Sequence, residues 1–157
     1  YKGKSNMAKT KINSQNGAQP NVQKQAERQL IVHAQYIKDF SFENPIGPNL
    51  SSKDKNPSVN LDINTTYLDL KNNNHEINLK IKSSASIDKD VLFVIELQYA
   101  GLIKTIIKNE EDKKKLIISG SYLLFPYARS IISNITMEGG FKPLVIQPIE
   151  FENMFQK

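Results

Sequence analysis

Apolar and polar residues alternate along the chain from residue 30 to residue 43. The apolar positions in this stretch are mostly even-numbered: Leu30, Val32, Ala34, Tyr36, Phe40 and Phe42. A period of two is typical of a β-strand with one apolar face, because successive side chains of a strand point to opposite sides of the sheet. We expect the strand to end at residues 44–48, where two prolines remove backbone donors from the sheet ladder.

Three further stretches alternate in the same way and are joined by short turns. The second begins at Val59, and its phase shifts near Thr66, which predicts a β-bulge. Three asparagines at 72–74 predict a tight turn, because asparagine tolerates a positive φ. A third strand is predicted over residues 76–82, and a fourth contains one fully apolar row: Phe93, Ile95, Leu97 and Tyr99. Four strands joined in this way predict an antiparallel meander or Greek key.

Helix signals follow the fourth strand. Asn109 is suited to cap a helix whose first turn holds three carboxylates. Pro126 predicts the first position of a second helix, where the missing N–H of proline costs little, and glycines at 139–140 predict its end. Apolar residues at 151, 154 and 155 predict a short terminal helix. Strands first and helices last indicate an α+β fold, with a four-stranded antiparallel sheet and C-terminal helices packed on one side.

The positive charge of the chain is concentrated near its N-terminus. The net charge of the 157 residues is +5, and residues 1–40 carry all of it. Residues 1–27 are polar, basic and without periodicity, so we expect a disordered tail there and a folded domain over residues 28–157. We also expect Met7 to be the natural start, with Tyr1–Asn6 a remnant of expression. No run approaches the ~20 apolar residues that cross a bilayer and no signal-peptide pattern is found, so we expect a cytoplasmic protein without direct membrane insertion.

The residue types that carry catalysis or bind metals are sparse. Cysteine is absent, which excludes thiolate chemistry and disulfides. The two histidines, His33 and His75, have no metal-ligand spacing, and we expect both to be exposed. No glycine-rich phosphate loop occurs in the sequence. The sequence therefore predicts a protein that is not an enzyme and uses neither a cofactor nor a metal.

Three segments form a longer and more specific pattern. The first is K-D-F-S-F-E-N-P from Lys38, and the second is E-L-Q-Y-A-G-L-I from Glu96. The third is L-F-P-Y-A-R-S-I-I-S from Leu124, followed by G-G-F-K-P-L and Q-P-I-E-F. In this order and spacing the segments resemble the SecB family of bacterial protein-export factors over about residues 30–155. The chain departs from well-known members in its basic net charge and in Lys55, at a loop position where many members carry tryptophan.

The resemblance implies a function and two partners. SecB-like proteins are ATP-independent holding chaperones that bind unfolded secretory precursors and deliver them to the SecA motor, a SecA-type ATPase, for translocation. They are homotetramers, built as dimers of dimers. Apolar rings and thioethers suit client binding that tolerates many sequences. The candidate client-binding residues are Phe42, Tyr127, Phe141, Leu144, Ile149, Phe151, Met154 and Phe155.

Two further sets of residues complete this expectation. The positions that match the family's SecA-binding carboxylates are Asp39, Glu43 and Glu96. An apolar sheet face with few short helices to cover it needs a partner. The expected oligomer interface is therefore the apolar row of the fourth strand: Phe93, Ile95, Leu97 and Tyr99.

Two other functions stay open on the sequence. A SecB-like chaperone can be dedicated to one client, such as an antitoxin. A nucleic-acid-binding protein would use the lysine-rich tail to contact phosphates. We expect no nucleic-acid partner, because the excess cations lie in a predicted tail without aromatic or amide readers beside them.

Overall fold

The structure is a computed structural model that describes residues 30–47 and 56–155. These residues form four strands, one α-helix and a terminal 3-10 helix: β1 Ile31–Glu43, β2 Ser58–Asp69, β3 Asn74–Ile87, β4 Asp90–Lys104, α1 Glu110–Glu138 and the 3-10 helix Phe151–Phe155. The predicted tail at 1–27 and Lys55 lie outside the described residues.

The four strands form one antiparallel sheet in the order β1-β4-β3-β2. β2, β3 and β4 follow one another as hairpins, and β1 lies beside β4. This arrangement is a Greek key, one of the two topologies predicted from the sequence. β1 and β2 are therefore the two edge strands. The predicted α+β fold is confirmed.

The helix α1 lies across one face of the sheet, here called the helix face; the other face is called the open face. A Cβ added to Gly120 would lie 2.9 Å from Ile77, and one added to Gly101 would lie 3.0 Å from Leu124. Helix and sheet thus approach closely where one of the two partners has no side chain. The close approach of α1 covers the apolar residues of β3 and β4.

The apolar row of β4 is part of this core. Phe93, Ile95, Leu97 and Tyr99 are between 0% and 8% exposed. The premise that this row lies open and needs a second copy to cover it is wrong. One long helix of the same chain covers it, in place of the two short helices predicted from the sequence.

α1 is one continuous helix of 29 residues, which corrects the prediction of two helices. Pro126 lies inside it, on the exposed side. A proline in a helix interior costs roughly 3 kcal/mol. Leu124 and Ala128, on either side, are both fully buried. We attribute the continuity of the helix to this burial, which outweighs the missing hydrogen bond.

The predicted cap and turns are confirmed. Asn109 Oδ1 accepts the Asp112 N–H at 2.8 Å, which satisfies a free donor of the first helical turn. The helix ends at Gly139, and Gly140 follows with a φ of 85°. Residues 71–73, at the predicted asparagine turn, all have positive φ. These local signals work because each depends only on neighbouring residues.

The alternation of β1 is interrupted twice. Its pairing with β4 shifts register at His33 and again at Lys38. Tyr36 therefore faces the open side, whereas Phe40 and Phe42 face the helix side. The single apolar face predicted for this strand is thus divided between the two faces of the sheet.

The bulge predicted near Thr66 is wrong. β2 pairs with β3 without a register shift along its whole length. Leu68 consequently lies on the open face, where half of it is exposed.

α1 is also long and apolar enough, by length and composition alone, to cross a membrane. This differs from the expectation from the sequence, which found no apolar run of that length. Within the domain, 44% of the apolar stretch is buried. Because its apolar residues pack on the sheet, we treat α1 as the core helix of the domain.

Candidate functional site

A rung of polar and charged side chains crosses all four strands on the open face. Residues directly opposite each other in neighbouring antiparallel strands have neighbouring side chains on one face. By this rule Ser41 of β1, Glu96 of β4, Lys82 of β3 and Asp62 of β2 form one rung. Neighbouring members are about 4.8 Å apart, the spacing of strands.

The three carboxylates expected to bind a motor all lie on this face. Glu96 belongs to the rung, and Asp39 and Glu43 lie two residues to either side of Ser41 on β1. All three are exposed. Asp62 shares the face but was not among the candidates, although the alternation of β2 already placed it on the polar side. The structure thus gathers four carboxylates on one surface.

One lysine lies among these carboxylates. Lys82 Nζ donates to Glu96 Oε1 at 2.6 Å, and both side chains are exposed. The hydrogen bond to Glu96 raises the pKa of Lys82, and the charges of Glu96, Glu43 and Asp62 raise it further. Lys82 is therefore a protonated counter-ion to this group.

A second polar cluster on the open face connects β1 to β3. Glu76 accepts hydrogen bonds from the Tyr36 hydroxyl at 2.6 Å and from Lys38 Nζ at 2.5 Å. Burial alone raises the pKa of Glu76, but the Lys38 and Tyr36 hydrogen bonds and the Lys38 charge outweigh it, so that the pKa lies below its usual value. The hydrogen bond to Glu76 raises the pKa of Tyr36 to about 12. The cluster fastens the edge strand β1 to the rest of the sheet.

Residues 141–155 form a strap that returns along α1. The Phe141 N–H donates to the Thr136 carbonyl at 3.0 Å, and the Leu144 N–H donates to Thr136 Oγ1 at 2.9 Å. At the other end, Lys114 Nζ lies 3.4 Å from the Phe155 carbonyl oxygen. The strap therefore runs antiparallel to the helix.

Apart from Phe151, five of the predicted client-binding residues lie on the strap, and Phe42 of β1 lies beside its start. These six are partly buried: Phe42, Phe141, Leu144, Ile149, Met154 and Phe155. We call them the strap surface. The rings of Phe42 and Phe141 both pack on Phe93, with centroid distances of 6.2 and 5.1 Å. Partly buried rings are held in position by the core while one edge stays available for contact.

Phe151 lies in the core and not on the strap surface. Its ring is fully buried, with its centroid 5.1 Å from that of Tyr122 and 5.7 Å from that of Phe125. The expectation that this ring contacts clients is therefore contradicted by its burial. The strap folds back along the helix, which the spacing of apolar residues could not show.

Tyr127 lies on the flank of α1 that faces β1. It is 52% exposed and stacks on Tyr99 at 6.3 Å between centroids. Tyr99 lies opposite Ile37 of β1, on the helix face. Phe125, which contacts the strap, is about 200° away from Tyr127 around the helix axis. The structure therefore separates Tyr127 from the other candidates.

The edge strand β1 exposes large apolar side chains on both faces. The exposed ones are Ile31, Tyr36, Ile37 and Phe40. Among the residues that the structure describes, β1 pairs only with β4, so its outer edge carries backbone groups without a partner there. A long, partly apolar edge of this kind is a template for pairing with another chain. The sequence prediction placed the assembly surface on β4 because the apolar row of that strand was expected to lie uncovered.

His75 is buried, contrary to the expectation of exposure. Its Nδ1 lies 2.9 Å from the Tyr67 hydroxyl, and its Nε2 lies 3.1 Å from the Thr105 carbonyl oxygen. Because a carbonyl only accepts, Nε2 donates to it, and in the neutral ring Nδ1 then accepts from Tyr67. Within residues 30–47 and 56–155, no group of three or more histidine, aspartate or glutamate side chains is placed to hold a metal ion. The hydrogen bonds of His75 join β3 to Tyr67 of β2 and to Thr105, the residue after β4.

Comparison with known proteins points to one family. The family model described as preprotein translocase subunit SecB matches residues 23–157. A protein-export protein SecB of Mesorhizobium japonicum is 40% identical over 147 residues, covering 92% of this chain and 83% of the relative. The corresponding protein of Rickettsia massiliae is 43% identical over 132 residues, and the match covers 82% of this chain and 86% of the relative.

A solved structure shares the fold. It is a Mycobacterium tuberculosis SecB-like chaperone in complex with a ChAD peptide from an antitoxin, with a TM-score of 0.67 and 12% identity. The match covers 78% of this chain and 91% of that chain. At this identity the likeness concerns the fold alone.

Proposed function

The chain belongs to the SecB family of preprotein translocase subunits, and on that premise we propose that it is an ATP-independent holding chaperone for protein export. It binds unfolded precursors in the cytoplasm and delivers them to a SecA-type motor. The observation that carries the proposal is the match of the family over residues 23–157. A chaperone of this kind needs no cofactor, because apolar burial drives the binding of the client.

The strap surface is the proposed client site. Its six residues combine rings, aliphatic chains and one thioether, which gain contact area without demanding one partner shape. Val59 and Leu61 add exposed apolar area on the helix face of β2, at 43% and 44% exposure. An extended, unfolded segment can lie along such a row.

Replacing Phe155 by alanine is expected to weaken the binding of an unfolded precursor by about 1–3 kcal/mol, the scale of losing an aromatic contact. The ring is partly exposed, so the stability of the domain should change much less. Fluorescence titration with a reduced, unfolded precursor measures the affinity. Ile106→Ala is the matched control, because Ile106 is 59% exposed but lies before α1 and outside the strap. Equal affinities for Phe155→Ala and wild type would place the client elsewhere.

The open face is the proposed motor site. Asp39, Glu43 and Glu96 are exposed there, on the side of the sheet opposite the strap. A basic segment of the motor would be attracted to this face. The two partners therefore bind opposite faces of one sheet, so that the motor can engage a loaded chaperone.

Reversing Glu43 to lysine is expected to weaken motor binding about tenfold at low salt and to leave client binding nearly unchanged. The deficit should shrink as salt is added, because exposed charges are screened. Glu138→Lys makes the same charge change at the exposed end of α1 and should bind the motor like wild type. If Glu43→Lys bound the motor with the wild-type affinity across a salt series, the open face would be a solvated surface that does not bind the motor.

We place the assembly contacts on two other surfaces. The outer edge of β1 suits pairing with β1 of a second copy, since isologous contacts are the commonest in homo-oligomers. The exposed side of α1 is the second surface, because Arg129 is the one charged residue in the sequence between Lys115 and Glu138. Two distinct self-complementary surfaces are what a homotetramer built as a dimer of dimers requires.

A further inference from the structure

We propose that Lys82 is a resident counter-ion that sets how tightly the open face binds a basic partner, because it occupies the place that a lysine or arginine of the partner would take. The inference rests on the proposed function, in which the carboxylates of this face bind the motor.

The position of Lys82 in the rung is the first argument. It lies directly opposite Glu96 on one side and Asp62 on the other. Its ammonium is 2.6 Å from Glu96 Oε1, which is a direct charge-assisted hydrogen bond. A cation of the partner that approaches Glu96 must therefore share this carboxylate with Lys82 or displace it.

The exposure of the pair is the second argument. The side chains of Lys82 and Glu96 are 62% and 52% exposed, and exposed ion pairs contribute little to stability. A lysine ammonium on a flexible stem can also move aside without moving the strand. The domain should therefore tolerate the loss of Lys82, whereas the electrostatic potential around Glu96, Glu43 and Asp62 becomes much more negative.

Lys80 provides a matched control on the same strand and the same face. It lies one rung away from Lys82, opposite Asn64 and Gln98, neither of which is charged. Lys80→Ala and Lys82→Ala therefore change the net charge equally. They differ in whether the lost cation lay directly opposite a carboxylate, because the carboxylate in the rung of Lys80 is Asp39, two strands away.

The test measures the affinity of a SecA-type motor for wild type, Lys82→Ala, Lys80→Ala and Glu43→Lys in a series of salt concentrations. Lys82→Ala should bind about three- to tenfold more tightly than wild type at low salt, and the gain should fall as salt is added. Lys80→Ala should change the affinity by no more than about twofold. Thermal unfolding of each variant establishes that the fold is kept.

Each outcome decides the proposal. Equal gains for Lys82→Ala and Lys80→Ala would mean that net charge alone matters and would overturn the role of Lys82. Weaker binding of Lys82→Ala would overturn it too, because Lys82 would then itself contact an acidic group of the motor. If Glu43→Lys instead bound the motor as tightly as wild type, the motor would not bind at the open face. The experiment therefore distinguishes a failure of the proposed motor site from a failure of the role of Lys82.

Discussion

Replacing Phe151 by alanine is expected to lower the free energy of unfolding by about 3–5 kcal/mol, the range for deleting a buried ring. The ring is fully buried and packs edge-on against Tyr122 and Phe125. Small domains are stable by only about 5–15 kcal/mol, so a large share of the stability would be lost. Urea unfolding followed by circular dichroism measures the change.

Phe155→Ala is the control for this experiment, because it removes the same ring from a partly exposed position of the same 3-10 helix. We expect its stability to fall by less than about 1 kcal/mol. If Phe151→Ala unfolded at the wild-type urea concentration and lost client affinity, Phe151 would belong to the client surface after all. The packing of the strap described above would then be wrong.

Replacing Ile37 by glutamate is expected to split the assembly into smaller species that remain folded. Ile37 is 50% exposed on the helix face of the edge strand, so the isolated domain can solvate a carboxylate there. In a paired interface the same carboxylate would be buried without a partner, which costs ~3–5 kcal/mol, and symmetry repeats the cost in both copies. Size-exclusion chromatography with light scattering measures the mass.

Leu68→Glu is the matched control on the other edge strand. Leu68 is also 50% exposed, but it lies on β2, which has no proposed role in assembly. This variant should keep the mass of the wild type. A wild-type monomer at micromolar concentration would contradict the tetramer itself. A full-size Ile37→Glu protein would contradict only the assignment of the interface to β1.

Local sequence signals predicted most of the elements. The cap at Asn109, the asparagine turn and the helix end at Gly139 all depend on the conformational preferences of neighbouring residues. Three of the four carboxylates on the open face, Asp39, Glu43 and Glu96, were named from the family resemblance, and period two predicted that Asp39 and Glu43 share one face of β1. The bulge at Lys38 lies before Asp39, so Asp39 and Glu43 still share one face.

Strand β1 shows where this reasoning stops. Tyr36 and Phe42 look equivalent in the alternation, yet one lies on the open face and the other under the end of α1. The register shift at Lys38, which separates them, exists only in the pairing with β4. The position of β1 at the edge, and with it the proposed assembly surface, likewise depends on which strands pair.

The sequence by itself determined the α+β class, the strands, the caps and the face of each motor-binding candidate, because these follow from propensity and from side-chain period. Only the tertiary structure decided that Pro126 lies inside one helix, that the row from Phe93 to Tyr99 is covered by that helix, and that Phe151 is core. Each of these depends on burial between residues far apart in the chain. Burial is set by how the elements pack, and the spacing of residues along the sequence does not contain it.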